Sequence, residues 1–107
     1  MGWIYIFIAA LFEISWVVGL KYSDGLTNLK ASIFTIITML LSFYFLALGS
    51  KELPIGTAYA VWTGIGAVGT VIYGMLFFNE SKEFLRIFFI MIIILGIIGL
   101  KLTDKQI

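Results

Sequence analysis

Four long apolar runs, at about 3–20, 32–50, 55–78 and 84–100, occupy most of the chain, and three short polar clusters separate them. Each run is long enough to cross a bilayer as a helix. The clusters between them, Lys21–Lys30, Lys51–Pro54 and Asn79–Arg86, carry the turn residues and most of the charge. Asp24-Gly25 marks the first turn, and Pro54 stands where the third helix begins, its preset φ suiting a first turn. The pattern predicts an all-α integral membrane protein, a single four-helix domain over residues 1–107. The first run lacks a basic start, is long and holds an acid at its middle, so it is expected to be a retained span rather than a signal peptide.

That acid is Glu13, in the stretch Met1-Gly-Trp-Ile-Tyr-Ile-Phe-Ile-Ala-Ala-Leu-Phe-Glu-Ile-Ser-Trp-Val-Val-Gly-Leu20. It lies roughly 10 Å along the helix from the Lys21 end, beyond reach of a helix-end lysine. A charged acid at that depth costs on the order of 3 kcal/mol on insertion scales. It survives by facing protein or water, by taking up a proton, by holding a cation, or as a neutral acid bonded between helices. Helical spacing puts Ile6, Ala9, Ala10, Glu13, Trp16, Val17 and Leu20 on one face, with Ala9 and Ala10 small enough to admit a neighbouring backbone. Trp16, one turn from Glu13, offers an indole N–H and a π face.

The second run holds Thr35, Thr38 and Ser42 as a polar stripe. Hydroxyls in such helices often bond their own backbone; Ser42 alone is near mid-span and is a site candidate. In the third run Tyr59, Trp62 and Gly66 share a face, with Thr63 beside them. Gly64, Gly66 and Gly69 each weaken a helix by about 1 kcal/mol relative to alanine. They imply either close helix contact or a bendable hinge. The fourth run has no polar side chain in its interior, so it packs or faces lipid; Gly96 and Gly99, at i and i+3, suit a dimer contact.

Composition narrows the chemistry. Only 12% of the 107 residues are charged, about half the share in a soluble domain. With neither cysteine nor histidine, thiol nucleophiles, haem ligation and ordinary zinc sites are absent, and no metal or cofactor is expected. No basic run suits nucleic acid and no Walker-type loop suits ATP. An intramembrane enzyme would have only Glu13, Ser42 or Tyr59 to work with. Transport work would therefore draw on an ion gradient.

Both termini share a side with the second loop, and that side carries Lys51, Lys101 and Lys105; the other carries Lys21, Lys30, Lys82 and Arg86. Three against four gives no decisive positive-inside bias. The chain is too short for the two inverted repeats that many transporters use around a midplane site. Two copies inserted oppositely would supply that pair, with both Glu13 side chains near the bilayer centre.

Glu13 with Trp16, then Lys21-Tyr-Ser-Asp-Gly25, then Leu53-Pro-Ile-Gly-Thr-Ala-Tyr-Ala-Val-Trp-Thr-Gly-Ile-Gly-Ala-Val-Gly69, and finally Gly96-Ile-Ile-Gly-Leu-Lys101, resemble the small multidrug resistance family across essentially the whole chain. The resemblance implies antiparallel, dual-topology dimers in the bacterial inner (plasma) membrane that exchange protons for cations at a shared glutamate pair. Glu13 matches that glutamate, and Tyr59 and Trp62 match aromatic substrate-site residues. Trp16 and the Trp-Thr-Gly-Ile-Gly run resemble the guanidinium-exporter branch; the broad multidrug branch usually has glycine at the position of Trp16 and another at Phe89. Ala10 departs the other way, being glycine in many guanidinium exporters. Some members work as pairs of different subunits, so the second subunit could be a copy or a paralogue.

The expected ligands are a guanidinium-type cation and protons. Guanidinium offers a planar fork of N–H donors that fits a carboxylate two bonds at a time. Trp16, Tyr59 and Trp62 add cation–π or edge contacts of roughly 0.5–2 kcal/mol each. Ser42 and the Tyr59 hydroxyl are expected to anchor the carboxylates. The alternatives are a multidrug exporter of quaternary ammoniums and a non-transporting partner subunit.

The balanced lysines yield a first prediction. If the chain acts alone, a tag at its C-terminus will be reached from both faces of the membrane in comparable amounts. Labelling confined to one face would point to a parallel dimer or an oppositely inserted partner.

Overall fold

In a computed structural model the chain forms four α-helices: α1 (Gly2–Tyr22), α2 (Leu29–Ser50), α3 (Ile55–Phe77) and α4 (Phe84–Thr103). The structure describes residues 1–103; the expected domain ran to 107, and its end, with Lys105, lies outside the described residues. The helices hold 21, 22, 23 and 20 residues and are each long and apolar enough to cross a membrane. At about 1.5 Å per residue the shortest spans roughly 30 Å, the thickness of a hydrocarbon core.

The expected apolar runs and the helices differ most at the first loop and at the end of α4. α2 begins at Leu29 rather than 32, because Asn28 caps it: its Oδ1 accepts the Ala31 N–H at 3.1 Å. The polarity of Lys30 marked the end of the apolar run but not the end of the helix. The loop itself is a tight turn through Asp24, Gly25 and Leu26, all at positive φ. Ser23, fully buried, ties it down: its hydroxyl donates to the Leu20 carbonyl at 2.7 Å and accepts from the Leu26 N–H at 3.0 Å. Pro54 stands just outside α3 rather than in its first turn, with an extended ψ of 140°. Its carbonyl accepts the Ala58 N–H at 2.9 Å and so opens the helical ladder.

The helices lie side by side in the order α2, α1, α3, α4, in a slab whose Cα extents are 45 × 35 × 16 Å. α1 packs most extensively on α2 and next on α3, while α4 approaches only α3 along its backbone. The core is small: Ile6, Ala9, Ala10, Leu53, Ala58, Val61 and Trp62. Large apolar side chains cover the outside of all four helices. That inversion suits a chain whose outer solvent is lipid, where association rests on packing rather than on apolar burial.

Small residues set the crossing of α1 and α2. A methyl at Gly49 would stand 2.8 Å from Ile6 Cγ1 and 3.2 Å from the Gly2 carbonyl oxygen. The Gly2 N–H donates to Glu52 Oε1 at 2.9 Å, which places a carboxylate at the α1 N-terminus. At the same end, the Lys101 ammonium lies 4.9 Å from the centre of the Trp3 ring.

The stripe expected along α1 is buried only in its first half. Ile6, Ala9 and Ala10 are fully covered, but Leu20 is exposed, and Val18 and Gly19 are buried in its place. Gly19 packs against Phe34 and Thr35 of α2. The Glu13–Val17 face is thereby left turned to a cleft shared with α3.

Ile6 is completely buried and has nowhere to swing. Gly49→Ala is therefore expected to cost about 1–3 kcal/mol by overpacking, despite alanine's better helix propensity. Thermal melting in detergent checks this: the variant should melt lower, and Gly49→Ala with Ile6→Val should recover part of the loss.

Candidate functional site

The cleft between α1 and α3 is about 250 Å³ and is lined by Glu13, Val17, Thr63, Gly66, Thr70 and Val71 among others. Glu13 reaches it because α3 presents glycine at 66: the carboxylate lies where a Cβ on Gly66 would be. Glu13 Oε1 is buried and accepts no hydrogen bond. The Trp16 Nε1, one turn along α1, is likewise buried without a partner. Unpaired buried polar atoms cost free energy and mark sites where something else is meant to bind.

Trp62 is buried and donates from Nε1 to Ser42 Oγ at 2.9 Å. Ser42, also fully buried, donates to the Ala9 carbonyl at 2.7 Å. This chain of two bonds links α3, α2 and α1 just above Glu13, and Ala9 is small enough to leave its carbonyl within reach. The Ser42 proton is thus committed to Ala9, so Ser42 holds Trp62 rather than anchoring Glu13 as expected. Thr35 and Thr38 do bond their own helix, to Ala31 at 2.7 Å and Phe34 at 2.8 Å.

The aromatic residues form a continuous surface. Trp16 meets Phe43 edge-on at 6.4 Å between ring centroids, Phe43 meets Trp62 at 5.9 Å, and Tyr59 lies 5.9 Å from Trp62. Tyr59 is 58% exposed. Phe43 was not singled out in the sequence, where it is one aromatic among ten phenylalanines; its place beside Ser42 was the available signal. Thr63 and Thr70 complete the polar lining of the cleft, and Thr70, one turn after Gly66, was also passed over.

Gly64, Gly66 and Gly69 of α3 each receive a neighbour, Ile97, Glu13 and Ile14 respectively. α3 runs unbroken through them. Among the described residues, nothing lies within 4 Å of where a Cβ on Gly96 or Gly99 would stand. No cluster of residues suited to a metal ion occurs among the described residues.

Four membrane-length helices around an intramembrane carboxylate define a small multi-pass membrane protein. Residues 1–93 match the family described as Small Multidrug Resistance protein. The chain is 54% identical over 104 residues to a guanidinium exporter of Proteus vulgaris, covering 97% of this chain and all of that one. It is 53% identical over 104 residues to a guanidinium exporter of Yersinia pseudotuberculosis serotype I (strain IP32953), with the same coverage. To a guanidinium exporter of Escherichia coli (strain K12) it is 50% identical over 103 residues, 96% of this chain and 98% of that one. The chain belongs to the small multidrug resistance family and is a multi-pass protein of the bacterial inner membrane. The relatives carry the names of exporters rather than enzymes.

The Glu13–Gly66 contact is directly testable. Gly66→Ala puts a methyl where the carboxylate lies, and overpacking of about 1–3 kcal/mol should move the side chain while the helix persists. The rate at which a membrane-soluble carbodiimide modifies Glu13 should change by at least roughly fivefold, the factor that about 1 kcal/mol supplies. An unchanged rate at unchanged helix content would mean that the carboxylate does not lodge against Gly66.

Proposed function

We propose that this protein is a proton-coupled antiporter that exports guanidinium and small substituted guanidinyl cations, working by alternating access at a pair of Glu13 side chains shared between two oppositely inserted copies. The observation that carries this reading is the Glu13 carboxylate, buried in the α1–α3 cleft with an oxygen that no group of its own chain satisfies. The guanidinium-exporter names of relatives identical at half their residues support the cation.

The chemistry follows from one group serving two ligands. A guanidinium ion donates two N–H groups to an ionised carboxylate. A proton on that carboxylate removes the anion that holds the cation, so the ligands compete. The empty, ionised site is the costly state at this depth, which disfavours return without cargo. Protons moving inward then drive guanidinium outward.

Trp16, Tyr59, Trp62 and the newly recognised Phe43 provide faces and edges for a flat cation, and the Trp62–Ser42–Ala9 chain keeps the pocket narrow. Such bonds in membranes are worth about 0.6–2 kcal/mol each. A narrow pocket favours guanidinium over bulky quaternary ammoniums. Gly96 and Gly99, open on α4, support contact with a second copy, and Gly64, Gly66 and Gly69 would let α3 adjust between states.

Purified protein in liposomes tests this. The wild type should take up guanidinium against its gradient when protons flow the other way, with a lipophilic quaternary ammonium transported poorly. Glu13→Gln should retain the fold and lose both guanidinium binding and proton coupling, since glutamine neither ionises nor takes up the proton. A Glu13→Gln protein that still drives guanidinium with a pH gradient would sink the mechanism.

A further inference from the structure

The cleft that holds Glu13 does not end at Val71. A second cavity of about 210 Å³ is lined by Val17, Val18, Lys21, Thr70, Phe78 and Glu80. The two share Val17 and Thr70, so they form one path along the α1–α3 groove. Its outer end lies at the face of the first and third loops, where Lys21 occupies the last turn of α1 and Glu80 follows α3. The Glu80 carboxylate is fixed there by Arg86 Nη2 at 2.7 Å.

Thr70 is the only side chain common to both cavities that carries a polar atom. Its Oγ1 is buried and has no hydrogen-bond partner. Ser32, away from the groove, holds the other buried hydroxyl left unpaired among the described residues. Ser15, Thr35, Thr38 and Thr103 by contrast each donate to the carbonyl four residues back, at 2.7–3.0 Å. A threonine hydroxyl in an apolar helix ordinarily silences itself in that way. Thr70 forgoes the bond to its own helix, and its residue lines both cavities of the groove.

We propose that Thr70 is the way station on the route by which the cation passes between the Lys21–Glu80 mouth and Glu13. The inference rests on the reading of the protein as a guanidinium exchanger. A guanidinium ion in the groove between Val17 and Val71 has shed much of its water, and valine offers its N–H groups no acceptor. The Thr70 oxygen accepts one of them midway, with its lone pairs unclaimed. Because the contact is made in passage rather than at rest on Glu13, it lowers the barrier to entering and leaving without setting the resting affinity. Thr70 is thus a positioning residue for transit.

The test compares wild type, Thr70→Val, Thr70→Ala and Thr70→Ser, each as the full chain in liposomes for exchange rate and in detergent for equilibrium guanidinium binding by calorimetry. Valine keeps the shape and removes the hydroxyl; serine keeps the hydroxyl. Thr70→Val and Thr70→Ala should exchange roughly tenfold more slowly, a barrier change of about 1.4 kcal/mol, with Kd within about twofold of wild type and Thr70→Ser near wild type. Exchange at the wild-type rate in Thr70→Val or Thr70→Ala overturns the proposal. So does a Kd that weakens in step with the rate, which would make Thr70 part of the binding site, and so does a Thr70→Ser protein as slow as Thr70→Val, which would make its role one of packing. If Thr70→Val fails to assemble, Thr70→Ala and Thr70→Ser decide on the same terms. A wild type that binds and exchanges no guanidinium fails the parent reading instead, and this inference with it.

Discussion

A carboxylate at hydrocarbon depth, with one oxygen unpaired, is the constraint around which the other polar groups of this chain are arranged. Nothing else in the described spans is an acid or a base at mid-depth. The fold tolerates Glu13 by opening a cleft beside it and by placing glycine at 66, so that α3 can approach without covering the group completely. α1 feels the same constraint. Its first half is sealed between neighbours through Ile6, Ala9 and Ala10, while beyond Glu13 the corresponding face stays open and the burial shifts to Val18 and Gly19.

The remaining polar side chains divide by what they do with their hydrogen bonds. Thr35 and Thr38 bond their own helix and present little to a ligand. Ser42 bonds across to Ala9 and receives Trp62, so three helices are pinned at one level above the acid. Glu13, Trp16 and Thr70 leave buried polar atoms unsatisfied, and of the four such atoms among the described residues only that of Ser32 lies away from α1 and α3. In a medium without water to make up the difference, such atoms are expensive. Two of them, on Glu13 and Thr70, belong to residues that line one groove, and that is the physical argument for function there, independent of any likeness to other proteins.

Much of this was legible in the sequence, because hydropathy reports depth. The four spans, the isolation of Glu13 and the candidacy of Trp16, Ser42 and Trp62 all follow from which residues interrupt an apolar run. What sequence spacing does not report is who the neighbour is. Thr35, Thr38 and Ser42 sit on one stripe, yet Ser42 alone bonds across, because Ala9 of another helix brings its carbonyl into range. Thr70 looks like any helical threonine until its missing bond is seen in place. Leu20 shares a face with Ile6 and Ala9 by period, yet Leu20 is exposed where they are buried, because the period cannot tell which half of a helix has a partner. The helix order α2, α1, α3, α4 was likewise beyond reach of a pattern that reads one helix at a time.

α4 is the helix least covered by the rest of the chain. Its backbone approaches the layer along α3 alone, it exposes most of its apolar side chains, and among the described residues nothing lies within 4 Å of where a Cβ on Gly96 or Gly99 would stand. Lipid can cover the apolar surface, but lipid does not need two glycines one turn apart, whereas a second helix does. The site has the same character. Trp16 holds an unused N–H and Glu13 an unused oxygen on one stretch of α1, and the exposed Tyr59 continues the aromatic surface outward from Trp62. In the antiparallel dimer proposed above, a second copy would bring its own set of these groups from the opposite direction, with donors for the carboxylate and an acceptor for the indole. The near-equal lysine counts on the two faces leave such opposite insertion unopposed, so the weak orientation signal and the unpaired polar atoms on α1 both support the dimer proposed above.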